Sequence, residues 1–138
     1  MIRPMEISDV PRVAEIHVFT WRSAYRGIIS DDILFNHRSV SKSIERFSDF
    51  VRNGTHETYV FDDGIVKAFL TIGNCRDEDK TDAFELWAIY VDPFMQKQGI
   101  GTKFVNYCEE QAVKRGFDEV CIFDFEILFH FRPAHVFQ

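Results

Sequence analysis

The sequence predicts a mixed α/β domain of the α+β kind, with a mostly antiparallel central sheet flanked by helices, and three observations predict it. Apolar residues recur at helical spacing over residues 8–27 and again over 40–54. The period changes to two over residues 58–91, around Asp62-Asp63-Gly64, a strong hairpin signal. A second change, from strand to helix, falls at Gly99-Ile100-Gly101.

In chain order, Ile2-Arg3 opens as a short strand closed by Pro4. Ser8-Asp9 reads as a helix N-cap, with Pro11 tolerated in the first turn. Val13, His17, Thr20-Trp21 and Ala24 follow at helical spacing until Gly27. The second helix is expected over Val40 to Val51, with Ile44, Phe47 and Val51 inside, Lys42, Glu45 and Arg46 outside, and Asn53-Gly54 as its stop. Thr58 to Phe61 and Ile65 to Ile72 form the hairpin strands. Asn74 to Asp82 reads as a solvated charged loop. Ala83 to Val91 is a long strand in which Phe84, Leu86, Ala88 and Tyr90 alternate with Glu85, Trp87, Ile89 and Val91, before Asp92-Pro93 ends it. Phe104, Cys108 and Ala112 mark the buried side of the last helix, Lys114 to Gly116 its end, and Phe117 to Phe123 a final strand.

The 138 residues fit a single domain, 1–138, and the 46% hydrophobic and 28% charged content is that of an ordinary globular chain. No stretch approaches the roughly 20 apolar residues of a membrane span, and Met1 to Glu6 turns polar too soon for a signal peptide. The cytoplasm is therefore the expected compartment, with no membrane partner. Sixteen Lys plus Arg against 22 Asp plus Glu leave a net charge of −6, without the basic surface a nucleic-acid partner needs. That acidity points weakly to cationic acceptors. Cys75, Cys108 and Cys121 are far apart in sequence and read as reduced thiols, with no metal site. Six of the 15 phenylalanines fall from Phe117 onward, so the tail is unusually apolar.

The chemistry concentrates between Leu86 and Thr102, where a strand enters a loop with two glycines that becomes a helix. Such a turn gathers backbone N–H groups and the positive helix end at one point, where phosphate binds. Gly99 and Gly101 let the backbone approach an anion without an intervening Cβ. The P-loop pattern fails, because Phe94 or Gln96 stands where its first glycine belongs. The Rossmann pattern fits poorly: Phe104 replaces the third glycine, and seven residues separate strand from loop.

Gln96-Lys97-Gln98-Gly99-Ile100-Gly101 resembles the Q/R-x-x-G-x-G/A motif of the GNAT superfamily of acetyl-CoA-dependent N-acyltransferases. Ile89 to Pro93 resembles that family's approach strand, and Ile2-Arg3-Pro4 with Trp21 to Gly27 its opening strand and first helix. The resemblance implies acyl transfer from acetyl-CoA, as co-substrate, to a small-molecule amine or a protein amino group, by direct attack. It implies that the backbone of Gln98, Gly99, Ile100, Gly101 and Thr102 holds the CoA pyrophosphate, flanked by Gln96 and Lys97. It implies that Ile89, Tyr90 and Val91 pair with the pantetheine arm, and that a break in that strand leaves an N–H for the thioester carbonyl. Glu85 occupies the place of a general-base glutamate, where burial beside Trp87 would raise its pKa; a polar-face glutamate is the equal alternative. Trp21 and Tyr25, one helical turn apart, fall where the family places acceptor contacts, although such a pair is more often core. His17 reads as a packed histidine and Asp124 as a weak second carboxylate, while Lys67 stands where the family often has glycine.

The family pattern continues past Phe125 with a helix and two strands, and that helix commonly carries a tyrosine acid. Glu126 to Gln138 supplies thirteen residues and no tyrosine, so no general acid carries over. This leaves a second reading, an acetyl-CoA-binding module with little turnover. The strand near Glu119 to Phe123 would end the sheet unpaired, so the apolar tail is expected to cover that edge or to pair with a second subunit as a homodimer.

Overall fold

The computed structural model describes residues 1–80 and 82–122, together with the backbone of residues 127–128. Its strands are β1 (Ile2–Pro4), β2 (Glu57–Asp62), β3 (Val66–Asn74), β4 (Phe84–Val91), β5 (Val120–Ile122) and β6 (Ile127–Leu128). Its long helices are α1 (Val10–Tyr25), α2 (Val40–Asn53) and α3 (Ile100–Lys114). The sheet runs β1-β2-β3-β4-β5, antiparallel from β1 to β4, with β5 and β6 both parallel to β4. The α+β expectation and its mostly antiparallel sheet hold.

Each sheet face buries a different helix layer. Leu70, Ile72, Phe84, Leu86 and Ile89 pack with Phe104, Cys108 and Ala112 of α3. Val60, Phe69 and Tyr90 face the other way, against Val10, Val13, Ala14 and Ile16 of α1 and Phe47 of α2. Burying such side chains supplies roughly 1.5–3 kcal/mol each. Ser39 caps α2 by accepting the Lys42 N–H at 3.3 Å, and Gly54, at φ +63°, ends it as expected.

Four expectations need correction. Ser8-Asp9 does not cap α1 through a side chain, because a short 3₁₀ turn, Ile7–Asp9, runs directly into the helix. The Asp9 carboxylate turns back instead, accepting the Glu6 N–H at 2.8 Å and pairing with Arg3 at 2.8 Å, which holds it below the usual carboxylate range. The alternation expected along Ala83 to Val91 breaks in the middle. Thr71 pairs with Ala88 and Ile72 with Leu86, so Trp87 is an extra residue that shifts Ile89 and Val91 onto the face of Leu86. The charged loop is not simply solvated: it holds a 3₁₀ turn at Glu78–Lys80, and Arg76 reaches back to a buried carboxylate. Among the described residues the strand expected from Phe117 is Val120–Ile122, so it starts three residues later than expected. Ile127 and Leu128 pair with β4 rather than along the outer edge of β5, and the rest of the expected edge cover lies outside the described residues.

Candidate functional site

Beyond β4 the chain is pinned before it reaches the glycines. Asp92, 6% exposed, takes the Phe94 N–H at 2.8 Å and pairs with Arg12 of α1 at 2.6 Å. Arg12 also donates to the Val66 carbonyl at 2.9 Å, so one guanidinium ties α1, β3 and the loop together. Gln96 donates to the Val91 carbonyl at 3.3 Å, and Lys67 bridges Asp63 at 2.7 Å and Gln98 at 3.2 Å. The backbone then passes twice through the left-handed region, at Lys97 (φ +65°) and Gly99 (φ +77°), before α3 starts. The first N–H groups of α3 have no intrahelical acceptor. A Cβ on Gly99 would meet nothing within 4 Å, so the space before the helix end is open. The donor set suits an anion, and a pyrophosphate fits its chemistry.

A cleft of about 260 Å³ opens on the face of the sheet that carries α1 and α2. Phe47, Phe50, Phe69, Trp21, Trp87 and Tyr90 line it with aromatic surface. Trp21 donates its indole N–H to the Tyr90 hydroxyl at 3.1 Å, while Trp87 donates to the Asn74 carbonyl at 3.0 Å and lies against Gly73. Arg38, Arg46 and Arg76 also line the cleft, and among the described residues no carboxylate does. The local charge is therefore opposite in sign to the net charge of −6, and the hint of cationic acceptors drawn from that acidity loses its footing.

The same arginines act on the two histidines of the cleft. Burial, then Arg46 and Arg38, push His17 down to about 3, and its Nδ1 lies 3.0 Å from the Ser43 hydroxyl. It packs against Phe47 and Tyr90, as a core histidine should. His56 stacks on Phe50 at 3.6 Å between ring centroids, and burial, Arg46 and Arg76 lower its pKa.

The structure brings some of the expected site residues together and separates others. Trp21 lines the cleft, whereas Tyr25 packs behind it, 4.6 Å away between ring centroids. Glu85 is completely buried but does not line the cleft. Arg76 approaches both its oxygens through the side chain, at 2.6 Å in the closest contact, and donates its backbone N–H to one of them at 2.8 Å. The outer edge of Ile89 and Tyr90 is paired to Ile127 and Leu128, so β6 holds backbone that the resemblance gives to pantetheine. Among the described residues, the last β5 partner on that edge is Leu86 and the first β6 partner is Ile89. Asp124 lies outside the described residues. Cys121, far from Cys75 in sequence, is hydrogen-bonded to it, and burial pushes the Cys121 thiol up to about 12.

Arg38, Arg46, His56 and Arg76 escaped the sequence reading. Arg46 was placed on the outer face of α2, and it does sit at an exposed rim of the cleft. Arg38 follows a turn of π-helix, Ile33–His37, that no periodicity announces. That turn is anchored by buried Leu34, whose carbonyl accepts from Arg22 at 3.2 Å.

Comparisons with known proteins agree with this architecture. The uncharacterised N-acetyltransferase YuaI of Bacillus subtilis (strain 168) is 28% identical over 128 residues, spanning 91% of this chain and 71% of its own length. Among solved structures, the PaiA N-acetyltransferase of Thermoplasma acidophilum, in complex with coenzyme A, superposes with a TM-score of 0.65 at 21% identity. That match covers 87% of this chain and 76% of the other. A GCN5-related N-acetyltransferase from Ralstonia eutropha JMP134 gives 0.64 at 19% identity, over 91% and 84% of the two chains. These neighbours show the fold. Residues 21–127 match the Acetyltransferase (GNAT) family, and the chain belongs to that family of acetyltransferases.

Proposed function

We propose that this domain transfers an acetyl group from acetyl-CoA to the primary amine of a small acceptor seated in the aromatic cleft, by direct attack and without a covalent enzyme intermediate. The observation that carries the reading is the bulge in β4. Trp87 and Ala88 border the cleft, and Trp87 is an extra residue with no counterpart on β3. Backbone N–H groups left over at such a bulge are suited to the negative charge that develops on a thioester oxygen. The same strand runs on to the glycine loop within eight residues of Val91, so the acyl donor and the cleft share one strand end. In this reading Gln96 and Lys97 flank the pyrophosphate and the N–H groups from Gln98 to Thr102 hold it. Ile89 to Val91 guide the arm after β6 gives way. Acetyl-CoA, when bound, supplies the thioester.

Glu85 has two roles to choose between, and its pairing distinguishes them. As a general base it must first leave Arg76; as a positioning residue it holds Arg76 at the cleft wall and needs no opening. Both oxygens engaged by one arginine favour the second role. In Glu85→Gln the base role predicts a kcat loss of about 100-fold or more with a changed pH profile. The positioning role predicts a raised KM with the profile unchanged. Steady-state rates from pH 6 to 9 separate the two.

Thiol release from acetyl-CoA with a panel of amines tests the function as a whole. Turnover above hydrolysis supports transfer. Acetyl-CoA binding without turnover supports the alternative, a binding module with little activity.

A further inference from the structure

The cleft is cationic in a chain that is acidic overall, and this contrast says something about the acceptor. Arg38 lies over the Trp21 ring at 3.7 Å and Arg46 over the Phe50 ring at 5.4 Å. Among the described residues, neither guanidinium has a carboxylate within ion-pair distance, although nine other basic side chains do. Arg76, the third arginine of the wall, is held by Glu85. Aromatic faces support the two guanidiniums without neutralising them. An arginine fixed in its plane by an aromatic ring and left without an acid is preorganised for a planar, bidentate anion.

We infer that the acceptor is a small amino-acid-like molecule whose carboxylate is held by Arg38 and Arg46 while its apolar or aromatic body fills the cleft and its amine faces the bulge of β4 at Trp87. The inference rests on the acetyl-transfer reading and narrows it from amines in general to amines that carry an anion. Volume limits the size: about 260 Å³ lies at the small end of ligand pockets, which run roughly 300–1,000 Å³. Charge limits the class. A second ammonium, as in a diamine, would meet Arg38, Arg46 and Arg76 with no carboxylate on the described wall to receive it. The same positive field has a catalytic use, because like charges disfavour an ammonium and push it toward the neutral amine that attacks. His17 and His56 already register that field.

Binding of reaction products tests this apart from turnover. Titrating the CoA-loaded protein with N-acetyl-phenylalanine, its neutral amide and a monoacetylated diamine, by calorimetry, should give at least ten-fold tighter binding for the carboxylate. Arg46→Gln and Arg38→Gln should each bring the carboxylate close to the amide while CoA affinity stays unchanged. Equal affinities, no saturable binding of the carboxylate, or a preference untouched by both substitutions would overturn the acceptor class and leave acetyl transfer standing. Failure of the protein to bind CoA at all would overturn the acetyl-transfer reading beneath it.

Discussion

Gly99 holds φ at +77° at the start of α3, and any side chain there is strained whatever the space around it. Gly99→Ala should therefore cost about 1–2 kcal/mol of stability in urea unfolding, with a larger loss in CoA affinity if its Cβ enters the anion site. His17 gives a pH prediction. Its folded pKa, down to about 3, lies below the ordinary histidine value of 6.5, so the unfolded chain binds the extra proton first. Stability is then fully present above about pH 6.5 and is lost as pH falls toward 3, by about 1.4 kcal/mol per unit at most. His56 is shifted in the same direction, and His17→Gln should flatten the slope measured between pH 7 and 5. The depressed carboxylates, Asp9 and Glu57 among them, act lower on the scale, below about pH 4. At this scale the sequence was readable where one residue type has one use, as at Gly54 and Gly99. It was silent on Arg38, Arg46 and Arg76, because an arginine in sequence looks the same whether it faces water or a cleft.

The irregular element of the sheet is β4, and its irregularity rests on a neighbour. A Cβ on Gly73 would come within 2.9 Å of the Trp87 ring, so the missing side chain on β3 is what lets the indole lie flat at the bulge. Gly73→Ala should displace Trp87, cost roughly 1–3 kcal/mol and reshape the cleft, with acceptor KM rising more than CoA Kd. The glycine loop rests on another element, since Asp92 is held by Arg12 of α1. Asp92→Ala should destabilise by about 2 kcal/mol, less than a fully buried pair because Arg12 keeps some solvent exposure, and should loosen CoA binding. Regular elements with clear periods were legible: α2, the β2–β3 hairpin and α3 all formed where the pattern put them. The bulge was not. Period-two alternation assumes that every residue has a counterpart, and one extra residue at Trp87 reverses the faces of everything after it without any mark in composition.

On the scale of the whole molecule, two segments lay claim to one strand edge. β6 pairs with Ile89 and Tyr90, the backbone that the proposed function gives to the arm of acetyl-CoA. Amides of β4 protected by β6 should exchange faster when Leu128→Pro removes a ladder N–H, and the same change should tighten CoA binding several-fold, as two pairs at about 1 kcal/mol each would compete. The overall order of strands and helices followed from the chain, because each element announces itself locally. Where the tail would go did not, since its partner is decided by a sheet edge some forty residues earlier in sequence. The aromatic lining has a practical consequence. The chain contains two tryptophans, and both stand in the cleft wall, one beneath Arg38 and the other beneath Arg76. No indole elsewhere dilutes their emission, so the intrinsic fluorescence of the unlabelled protein is a direct optical readout of what occupies the cleft.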